Sequence, residues 1–384
     1  MNNGWPKLPL GEALHQRACD VVVNAAESYR FAGVYCFGRG VFRGQQKLGN
    51  QFAYQRLTRL RSGDFVYPKL MSWEGAFGVV PQSCDGCVVS PECPVFELNP
   101  ERISPKCLNF YFQLPRVWEE VSGGSTGTNV RRRRLHPSDF LRAKIPMPPL
   151  VEQRRVVARI EGVAAQIHEA RILREEIDRD LHAMLAAAHR KIAALTPRKP
   201  LIEVAPLKRR PLTVDPEEAY PTVAVRSFGR GTFHREPLVG SAVTWQKAFL
   251  VKAGDILVSN IKAWEGALAV AKPEDDGRVG SHRYLTCVPV EGVATARFTC
   301  FYLLTPEGLH AVGEASPGSA DRNRTLSAKA FMQIPVPVPP YADQLRFDAL
   351  CREVDTLKRL QTETAAELDT LLPAILDRAF KGEL

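Results

Sequence analysis

Trp73-Glu74-Gly75-Ala76 occurs a second time as Trp264-Glu265-Gly266-Ala267, 191 positions further along the chain. A single register held over half of the chain, with a period this long, indicates a duplicated domain rather than a solenoid of short units. The sequence therefore predicts two similar domains related by a pseudo-two-fold internal repeat. The same offset aligns, without a gap, Phe37-Gly38-Arg39-Gly40 with Phe228-Gly229-Arg230-Gly231, Gly63-Asp64 with Gly254-Asp255, Phe110-Tyr111 with Phe301-Tyr302, Arg131 and Arg133 with Arg322 and Arg324, and Pro148-Pro149 with Pro339-Pro340.

Each copy changes character at a run of prolines, residues 145–149 in the first and 334–340 in the second. Before the prolines, short apolar stretches that follow a Gly-Asp pair predict strands entered from tight turns. The proline runs have few amide donors, so they are expected to form an extended strap that ends each domain.

The segment after each proline run is predicted to be a long helix. From residue 151 to about 192 there is no proline, and apolar residues recur at steps of three and four, which is the helical period. The second copy continues the pattern, with Pro373 expected to kink or cap its last turns. Two arrangements would cover the apolar stripes: the helices pack on each other as a coiled coil, or each lies on its own domain.

The net charge of +9 lies mainly in two separated blocks. Residues 1–150 carry +7 and residues 196–340 carry +4, whereas 151–195 carry +1 and 341–384 carry −3. Two basic blocks are expected if both domains face a polyanion and the segments between them do not. A merely soluble basic protein is the alternative that charge alone leaves open.

Targeting signals and disulfide patterns are not evident. The first ten residues lack the charged-then-apolar order of a secretory signal and no run of about 18 apolar residues occurs, which predicts a cytoplasmic protein without a membrane partner. The nine cysteines are scattered, as is typical of reduced thiols. Cys84, Cys87 and Cys93 cluster, but a second ligand pair for zinc is missing nearby, so ordinary loop and strand cysteines are favoured. The alternative is a zinc site that Cys107 or a distant residue completes.

Common catalytic motifs are missing from the sequence. We find no phosphate loop, no HExxH and no GxSxG, and residues 99–101 do not form the Asn/Asp-Pro-Pro-aromatic turn of adenine methyltransferases. Residues 37–40 lack the third glycine of a dinucleotide fingerprint. The sequence therefore predicts a non-catalytic protein that binds no cofactor or metal itself.

The proline run and the helix start that follows it resemble those of the DNA-specificity subunits of type I restriction-modification systems. The matching residues are Ile145-Pro146-Met147-Pro148-Pro149-Leu150-Val151-Glu152-Gln153-Arg154-Arg155 and the C-terminal run Leu371-Leu372-Pro373-Ala374-Ile375-Leu376-Asp377-Arg378-Ala379-Phe380-Lys381-Gly382-Glu383-Leu384. The resemblance covers nearly the whole chain. The second helix start departs from the pattern, with Asp343 for Glu and Leu345 for Arg, which leaves open whether both helices bind partners equally.

The resemblance implies an α+β fold with two mixed α/β target-recognition domains, residues 1–150 and 197–340, joined by two long antiparallel helices, residues 151–196 and 341–384. It implies a bipartite double-stranded DNA target and two modification subunits that bring S-adenosylmethionine and methylate adenine N6. It also implies restriction subunits that use ATP and Mg²⁺ to translocate and cut. This chain would recognise the DNA sequence and act as the scaffold on which the other subunits assemble.

Reading DNA requires cations for phosphates and forked or amide side chains for base edges. The glycine-containing loops 123–134 and 317–324 combine hydroxyls, asparagines and arginines, although an arginine run is more often a solvated face. The candidate DNA-binding residues are Arg39, Arg43, Lys47, Lys69, Ser72, Trp73, Glu74, Ser125, Thr126, Thr128, Asn129, Arg131, Arg132, Arg133 and Arg134 in the first domain, and Arg230, Arg235, Lys262, Trp264, Glu265, Ser319, Arg322, Asn323 and Arg324 in the second.

The repeated Trp-Glu pairs admit two interpretations each. The tryptophans either fill the core from a strand or stack beside bases, and the glutamates either accept from cytosine N4 or orient neighbouring arginines. Positions at which the copies differ, such as Ser72 against Ala263 and Asn129 against Ala320, are expected to carry the difference between the two half-sites. The residues that are identical in both copies are expected to stabilise the fold or to bind DNA phosphates.

Two other functions fit the same observations. One is a stand-alone DNA-binding regulator whose two domains act as a pseudo-dimer, and the other is an RNA-binding scaffold. Co-purification separates them, since a specificity subunit should bring down a methyltransferase, whereas a regulator should bind its operator alone.

Overall fold

The computed structural model describes residues 5–123, 134–243, 247–318 and 324–383. It divides into two compact units, unit 1 made of Met1–Ile172 and Glu363–Leu384 and unit 2 made of Leu173–Thr362. Each unit therefore holds one of the two predicted domains together with a part of both long helices.

Unit 1 contains strands β1 (Lys7–Pro9), β2 (Leu14–Gln16), β3 (Val21–Val22), β4 (Ser28–Val34), β5 (Val41–Leu48), β6 (Arg56–Arg59), β7 (Phe65–Val66), β8 (Gly78–Val79), β9 (Val88–Val89), β10 (Val95–Leu98) and β11 (Lys144–Pro146), helices α1 (Pro105–Tyr111), α2 (Pro115–Ser122) and α3 (Pro137–Arg142), and the beginning of α4 (Leu150–Ala193). The strands form sheets of order β3-β6-β9-β4-β5, β2-β10-β7-β8 and β1-β11.

Unit 2 contains strands β12 (Arg198–Pro200), β13 (Pro211–Leu212), β14 (Ala219–Val225), β15 (Thr232–Val239), β16 (Ala248–Leu250), β17 (Ile256–Ser259), β18 (Leu268–Val270), β19 (Val279–Ser281), β20 (Tyr284–Cys287) and β21 (Pro335–Pro337), helices α5 (Leu201–Val204), α6 (Ala296–Leu304), α7 (Pro306–Glu314) and α8 (Ala328–Phe331), and the beginning of α9 (Tyr341–Phe380). Its sheets have the orders β13-β16-β19-β14-β15, β18-β17-β20 and β12-β21.

The duplication predicted from the sequence is confirmed by the elements. Strands β4, β5 and β11 recur 191 positions later as β14, β15 and β21 with equivalent bounds. Both five-stranded sheets contain one parallel pair, β4 with β9 and β14 with β19. The long hairpin shifts register in both units, between Arg30 and Ala32 in unit 1 and, one residue earlier in the repeat, between Tyr220 and Thr222 in unit 2.

The proline straps form the expected extended segments. β11 pairs antiparallel with β1 and β21 pairs antiparallel with β12, so each strap is tied to the first strand of its own domain. The backbone hydrogen bonds of the strap are donated by its non-proline residues. For example, the Met147 amide donates to the carbonyl of Pro6 at 2.9 Å. This pairing fixes the place from which each long helix starts.

The two domains fill equivalent core positions with different side chains. In unit 1 the buried rings of Phe65 and Phe112 lie 4.8 Å apart, and Phe140 stacks on Phe65 at 5.6 Å. In unit 2 the positions of the first two are taken by the buried aliphatic residues Ile256 and Leu303. The backbone is kept while the core is repacked, because summed volume and apolar character matter more than ring identity.

A buried glutamine anchors the start of each long helix. The Gln153 side chain donates to the carbonyls of Arg102 and Pro148, both at 2.8 Å, and accepts from the amide of Ser104 at 2.8 Å. In unit 2 Gln344 repeats the pattern, donating to the carbonyls of Val293 and Pro339 and accepting from the Thr295 amide, all at 2.9 Å. The atypical Asp343 and Leu345 therefore leave this anchor intact.

The long helices share the cores of both units. In unit 1, Val156 and Ile160 of α4 are buried in one cluster with Leu376 and Phe380 of α9, and further along Arg171 pairs with Asp369 at 2.5 Å. Residue numbers rise along one helix as they fall along the other, so the helices run antiparallel in this unit. In unit 2 the end of α4 packs with the beginning of α9 through buried residues that include Leu185, Phe347 and Cys351.

The prediction of two long antiparallel helices that pack on each other is confirmed within each unit, and in each unit the helix pair also packs on the domain. Of the two expectations for Pro373, the cap is wrong, since α9 continues to Phe380, whereas the kink stays a prediction. No helix within the described ranges is both long and apolar enough to span a bilayer.

Candidate nucleic-acid interface

In each unit the repeated Phe-Gly-Arg-Gly turn is fastened to the repeated Trp-Glu-Gly-Ala turn. The amide of Phe37 donates to the carbonyl of Glu74 at 2.7 Å, and the amide of Gly38 donates to the carbonyl of Gly75 at 2.9 Å. The equivalent bonds in unit 2, from Phe228 to Glu265 and from Gly229 to Gly266, measure 2.8 and 2.9 Å. The two best-repeated motifs of the sequence thus form one paired turn, present twice.

Phe37 and Phe228 adopt left-handed backbone conformations, with φ of 63° and 62°. Bulky residues rarely adopt positive φ, so this geometry persists only where the surroundings enforce it, and such strain clusters at functional sites. Both side chains are largely exposed, at 63% and 72%. These phenylalanines are not among the candidate site residues predicted from the sequence, although the repeat of an aromatic residue in the Phe-Gly-Arg-Gly motif was the signal that could have identified them.

The glutamates of the paired turns hold neighbouring side chains in place. Glu265 accepts from Lys262 Nζ at 2.6 Å through one oxygen and from Ser227 Oγ at 2.9 Å through the other. The hydrogen bond from Lys262 holds the pKa of Glu265 below its ordinary value. In unit 1 Glu74 accepts from the Cys36 thiol at 3.2 Å. This geometry favours the orienting role over direct contact with cytosine.

Trp73 and Trp264 lie in short 3₁₀ turns, Ser72–Glu74 and Ala263–Glu265, and not in the strand expected from the sequence. Both are half-buried, and the buried indole Nε1 of each has no hydrogen-bond partner within the described part of the chain. In unit 2 the cations of Lys262 and Arg324 lie 5.3 and 5.4 Å from the Trp264 ring. Cation–π attraction therefore helps to position these two candidate phosphate ligands.

Two of the DNA-binding candidates in unit 1 donate side-chain hydrogen bonds to backbone carbonyls of the same unit. Ser72 is fully buried, and its hydroxyl donates to the carbonyl of Lys69 at 3.4 Å, so this side chain faces the interior instead of a DNA duplex. The prediction of a DNA contact from Ser72 is corrected accordingly. Lys69 is half-buried, and its Nζ donates to the carbonyl of Pro91 at 2.9 Å.

The other cationic candidates lie at the surface, which is where phosphate ligands must lie. Arg39 stacks over Tyr35 at 5.1 Å, Arg230 over Phe228 at 5.7 Å, and Arg134 pairs with Glu92 at 3.2 Å. The exposed members of the set are Arg39, Arg43, Lys47, Arg134, Arg230 and Arg235. The candidates Ser125, Thr126, Thr128, Asn129, Arg131, Arg132, Arg133, Ser319, Arg322 and Asn323 lie outside the described residues.

The cysteine cluster belongs to a small apolar core. Cys84 and Cys87 are buried with Val80 and Val89, and burial raises the pKa of the Cys84 thiol. A raised pKa keeps the sulfur protonated, which opposes metal ligation. Within the described ranges no three His, Cys, Asp or Glu side chains are grouped to hold a metal ion.

A duplicated α/β protein with two long helices is the structural class that these features define. Its fold is that of solved HsdS-type structures. The crystal structure of the HsdS subunit from Thermoanaerobacter tengcongensis has a TM-score of 0.61 and 23% identity, with coverage of 100% of this chain and 98% of that one. A chain from a structure on complex assembly and conformational transition of the type I restriction-modification system has a TM-score of 0.65 and 22% identity, with coverage of 100% and 99%. No protein-family model and no curated protein matches this chain.

Proposed function

We propose that this chain is the DNA-specificity subunit of a type I restriction-modification system. It reads a bipartite target, one half-site with each domain, and directs adenine-N6 methylation or ATP-dependent cleavage by partner subunits. The observation that carries the proposal is the paired turn with its exposed arginine, Arg39 or Arg230, built twice on the HsdS fold. Two similar surfaces suit a ligand with two half-sites.

Charge supports DNA as the ligand. The two blocks that contain the domains carry most of the positive excess, and their described cationic candidates other than Lys69 are exposed or stacked on aromatic rings. Exposed cations gain affinity for a duplex by releasing its condensed counterions. We therefore assign Arg39, Arg43, Lys47 and Arg230 to phosphate contacts.

Partner subunits are proposed to bring the chemistry. Two modification subunits would supply S-adenosylmethionine, and restriction subunits would supply the site for ATP and Mg²⁺, while this chain contributes no catalytic group. Exposed apolar side chains on the long helices suit such partners, because lone monomers rarely leave large apolar patches uncovered. These side chains are Ile172 and Leu371 in unit 1, and Leu173, Ile177, Met184 and Leu357 in unit 2. Such an assembly would work in the cytoplasm.

Methylome sequencing tests the proposal. The type I modification subunits of the host are expressed with and without this chain in a strain that lacks the modification. We expect N6-methyladenine in one bipartite motif, and only when this chain is present. A variant with Arg39 and Arg230 both changed to alanine should methylate the same motif less completely and with a shallower dependence on salt, because each lost phosphate contact removes counterion release.

The competing functions give different results in the same preparation. A stand-alone regulator would bind one operator without a methyltransferase and leave the methylome unmodified, and an RNA-binding scaffold would prefer RNA in competition with duplex DNA. Either result overturns the proposed function.

A further inference from the structure

Unit 2 contains a cleft of about 740 Å³ that lies beside the long hairpin β14-β15 and the ends of β17 and β19. Its polar lining includes Thr222, Arg235, Ser281, His282 and Arg283. These residues belong to a single unit, so the cleft is complete within the domain that holds it. Of these residues, only Arg235 is among the DNA-binding candidates predicted from the sequence.

Two polar atoms of the lining are buried without a partner. Thr222 is 2% exposed, and its Oγ1 has no hydrogen-bond partner among the described residues. The same holds for His282 Nδ1, which is also buried. Buried polar atoms are almost always satisfied in folded proteins, so unsatisfied ones that line an open cleft point to a polar ligand.

The hairpin geometry presents Arg235 at this cleft. Thr222 pairs with Arg235 immediately after the register shift in β14-β15, and such irregularities re-aim side chains next to binding sites. The Arg235 guanidinium lies 5.4 Å from the ring of Phe233, which Arg226 also faces at 5.1 Å. Glu236, the next residue, adds an acceptor to the lining.

Unit 1 lacks most of these groups at the equivalent positions, since only Ser281 has the same residue there, Ser90. The residues 191 positions earlier are Phe31 for Thr222, Gly44 for Arg235, Pro91 for His282 and Glu92 for Arg283. Phe31 instead packs edge-on against Phe52 with ring centroids 5.1 Å apart. The two domains share the backbone fold but not the side chains that line the cleft. The cleft is therefore a place where the two domains can differ in the ligand groups that they recognise.

We infer that this cleft reads base edges of the half-site bound by the second domain, with Arg235, His282 and Arg283 as specificity-determining residues. The inference rests on the proposed function. The lining offers arginine donors and a glutamate acceptor, and guanine O6 and N7 with cytosine N4 present the complementary groups in the major groove. The ligand is therefore a G·C-containing step of duplex DNA.

The test compares methylomes of the complex assembled with R235A, H282A or R283A. We expect one half-site to become degenerate at a G·C position, with discrimination reduced roughly ten- to one-hundredfold, while the other half-site stays strict. Lys329→Ala, an exposed cation of the same unit outside the cleft lining, is the matched control and should leave the motif unchanged. Thermal melts of the complexes establish that the variants are folded.

An unchanged motif in the cleft variants, or equal degeneracy in both half-sites, overturns the inference and leaves the proposed function standing. A wild-type complex that methylates no bipartite motif overturns the proposed function itself. For a folded variant that methylates nothing, competition with duplexes substituted at each position replaces the methylome, and a uniform loss over all duplexes counts against the inference. Calorimetric binding of free guanosine monophosphate that R235A abolishes, with an unchanged motif, would assign the cleft to a mononucleotide instead.

Discussion

At the scale of single residues, Gln153 and Gln344 show what the repeated helix start accomplishes. Each amide satisfies two carbonyls and one backbone amide between the domain and the helix. The flanking charges vary between the copies, whereas the glutamine does not, because a buried amide with three partners cannot be replaced without leaving polar groups unsatisfied.

We expect Gln153→Ala to lower the free energy of unfolding by about 2–4 kcal/mol, since it leaves two carbonyls and one amide without partners in a buried place. Arg154→Ala, one position further along and exposed, is the matched control and should change stability by less than about 0.5 kcal/mol. Denaturant titration of both variants measures the difference. Equal midpoints for the two variants would contradict the anchoring role.

His189 makes unit 2 sensitive to acid. Its ring is buried 4.3 Å from Phe298 and 4.9 Å from Phe301, and burial lowers its pKa to about 4 from the usual 6.5. The unfolded chain gains a proton near pH 6.5 while the folded chain does not. Stability is therefore full above pH 6.5, falls as the pH drops toward 4, and levels off below that value.

In the wild type, the free energy of unfolding should fall by on the order of 3 kcal/mol between pH 6.5 and 4 because His189 is buried, and we expect His189→Phe to remove this fall. Phenylalanine suits the site because the repeat places Phe380 at the equivalent position in unit 1, where its ring packs 5.1 Å from Tyr111. Unfolding midpoints recorded from pH 7.5 to 4 decide the outcome. A variant whose stability falls with pH as steeply as the wild type would show that other groups cause the acid sensitivity.

At the scale of elements, the paired turns depend on glycines in the left-handed region. Gly75 and Gly266 have φ of 73° and 77°, so an alanine at either place costs about 1 kcal/mol in backbone strain. Their surroundings differ, since a Cβ at Gly75 would lie 2.3 Å from the Trp118 ring, whereas one at Gly266 would lie 3.4 Å from Leu304 and Leu309.

Gly75→Ala is therefore expected to destabilise by about 1–3 kcal/mol more than Gly266→Ala, because the buried Trp118 ring must move. The two variants form a matched pair within one chain, and differential scanning calorimetry of each gives the comparison. If Gly266→Ala proves the more damaging, the packing of the two turns has been misassigned.

The elements also show how far the sequence could lead. The duplicated strands, the straps and both long helices follow from repeated motifs, proline spacing and helical periodicity, and all of them are present. The 3₁₀ turns that contain the two tryptophans could not be predicted from the sequence, because an aromatic residue between apolar neighbours is compatible with a strand as well as with a 3₁₀ turn. The cleft of unit 2 could not be found either, since its lining comes from strands that are distant in sequence and its arginines and histidine are not repeated in unit 1.

At the scale of the whole molecule, the proposed function makes the helices a spacer between two reading domains. A spacer must be stiff and must carry little positive charge, so that the DNA between the half-sites is left unread. Residues 151–195 carry a net charge of +1 and residues 341–384 carry −3, in contrast to the domains. The 44 residues of α4 span roughly 66 Å at 1.5 Å per residue, comparable to about 19 base pairs.

The place for a length change follows from the packing of α4. Leu185 and His189 are buried in unit 2, so an insertion between them would disrupt a core, whereas Ile172 and Leu173 are exposed at the junction of the two units. Inserting seven residues after Ile172, with seven more after Thr362 in α9, adds about 10 Å to each helix and nearly two full turns. The apolar stripes keep their register because seven residues make one heptad.

We expect this double insertion to lengthen the unread spacer of the methylated motif by about three base pairs, since 10 Å corresponds to roughly three steps of 3.4 Å, while both half-site sequences persist. The matched control inserts seven residues into α4 alone, which leaves one helix too short for the other and should abolish methylation. Methylome sequencing measures both variants in the assembled complex. Because the domains, and not the helices, are proposed to read the half-sites, a changed half-site would indicate damage to a domain. An unchanged spacer in an active complex would show that the helices do not set the distance.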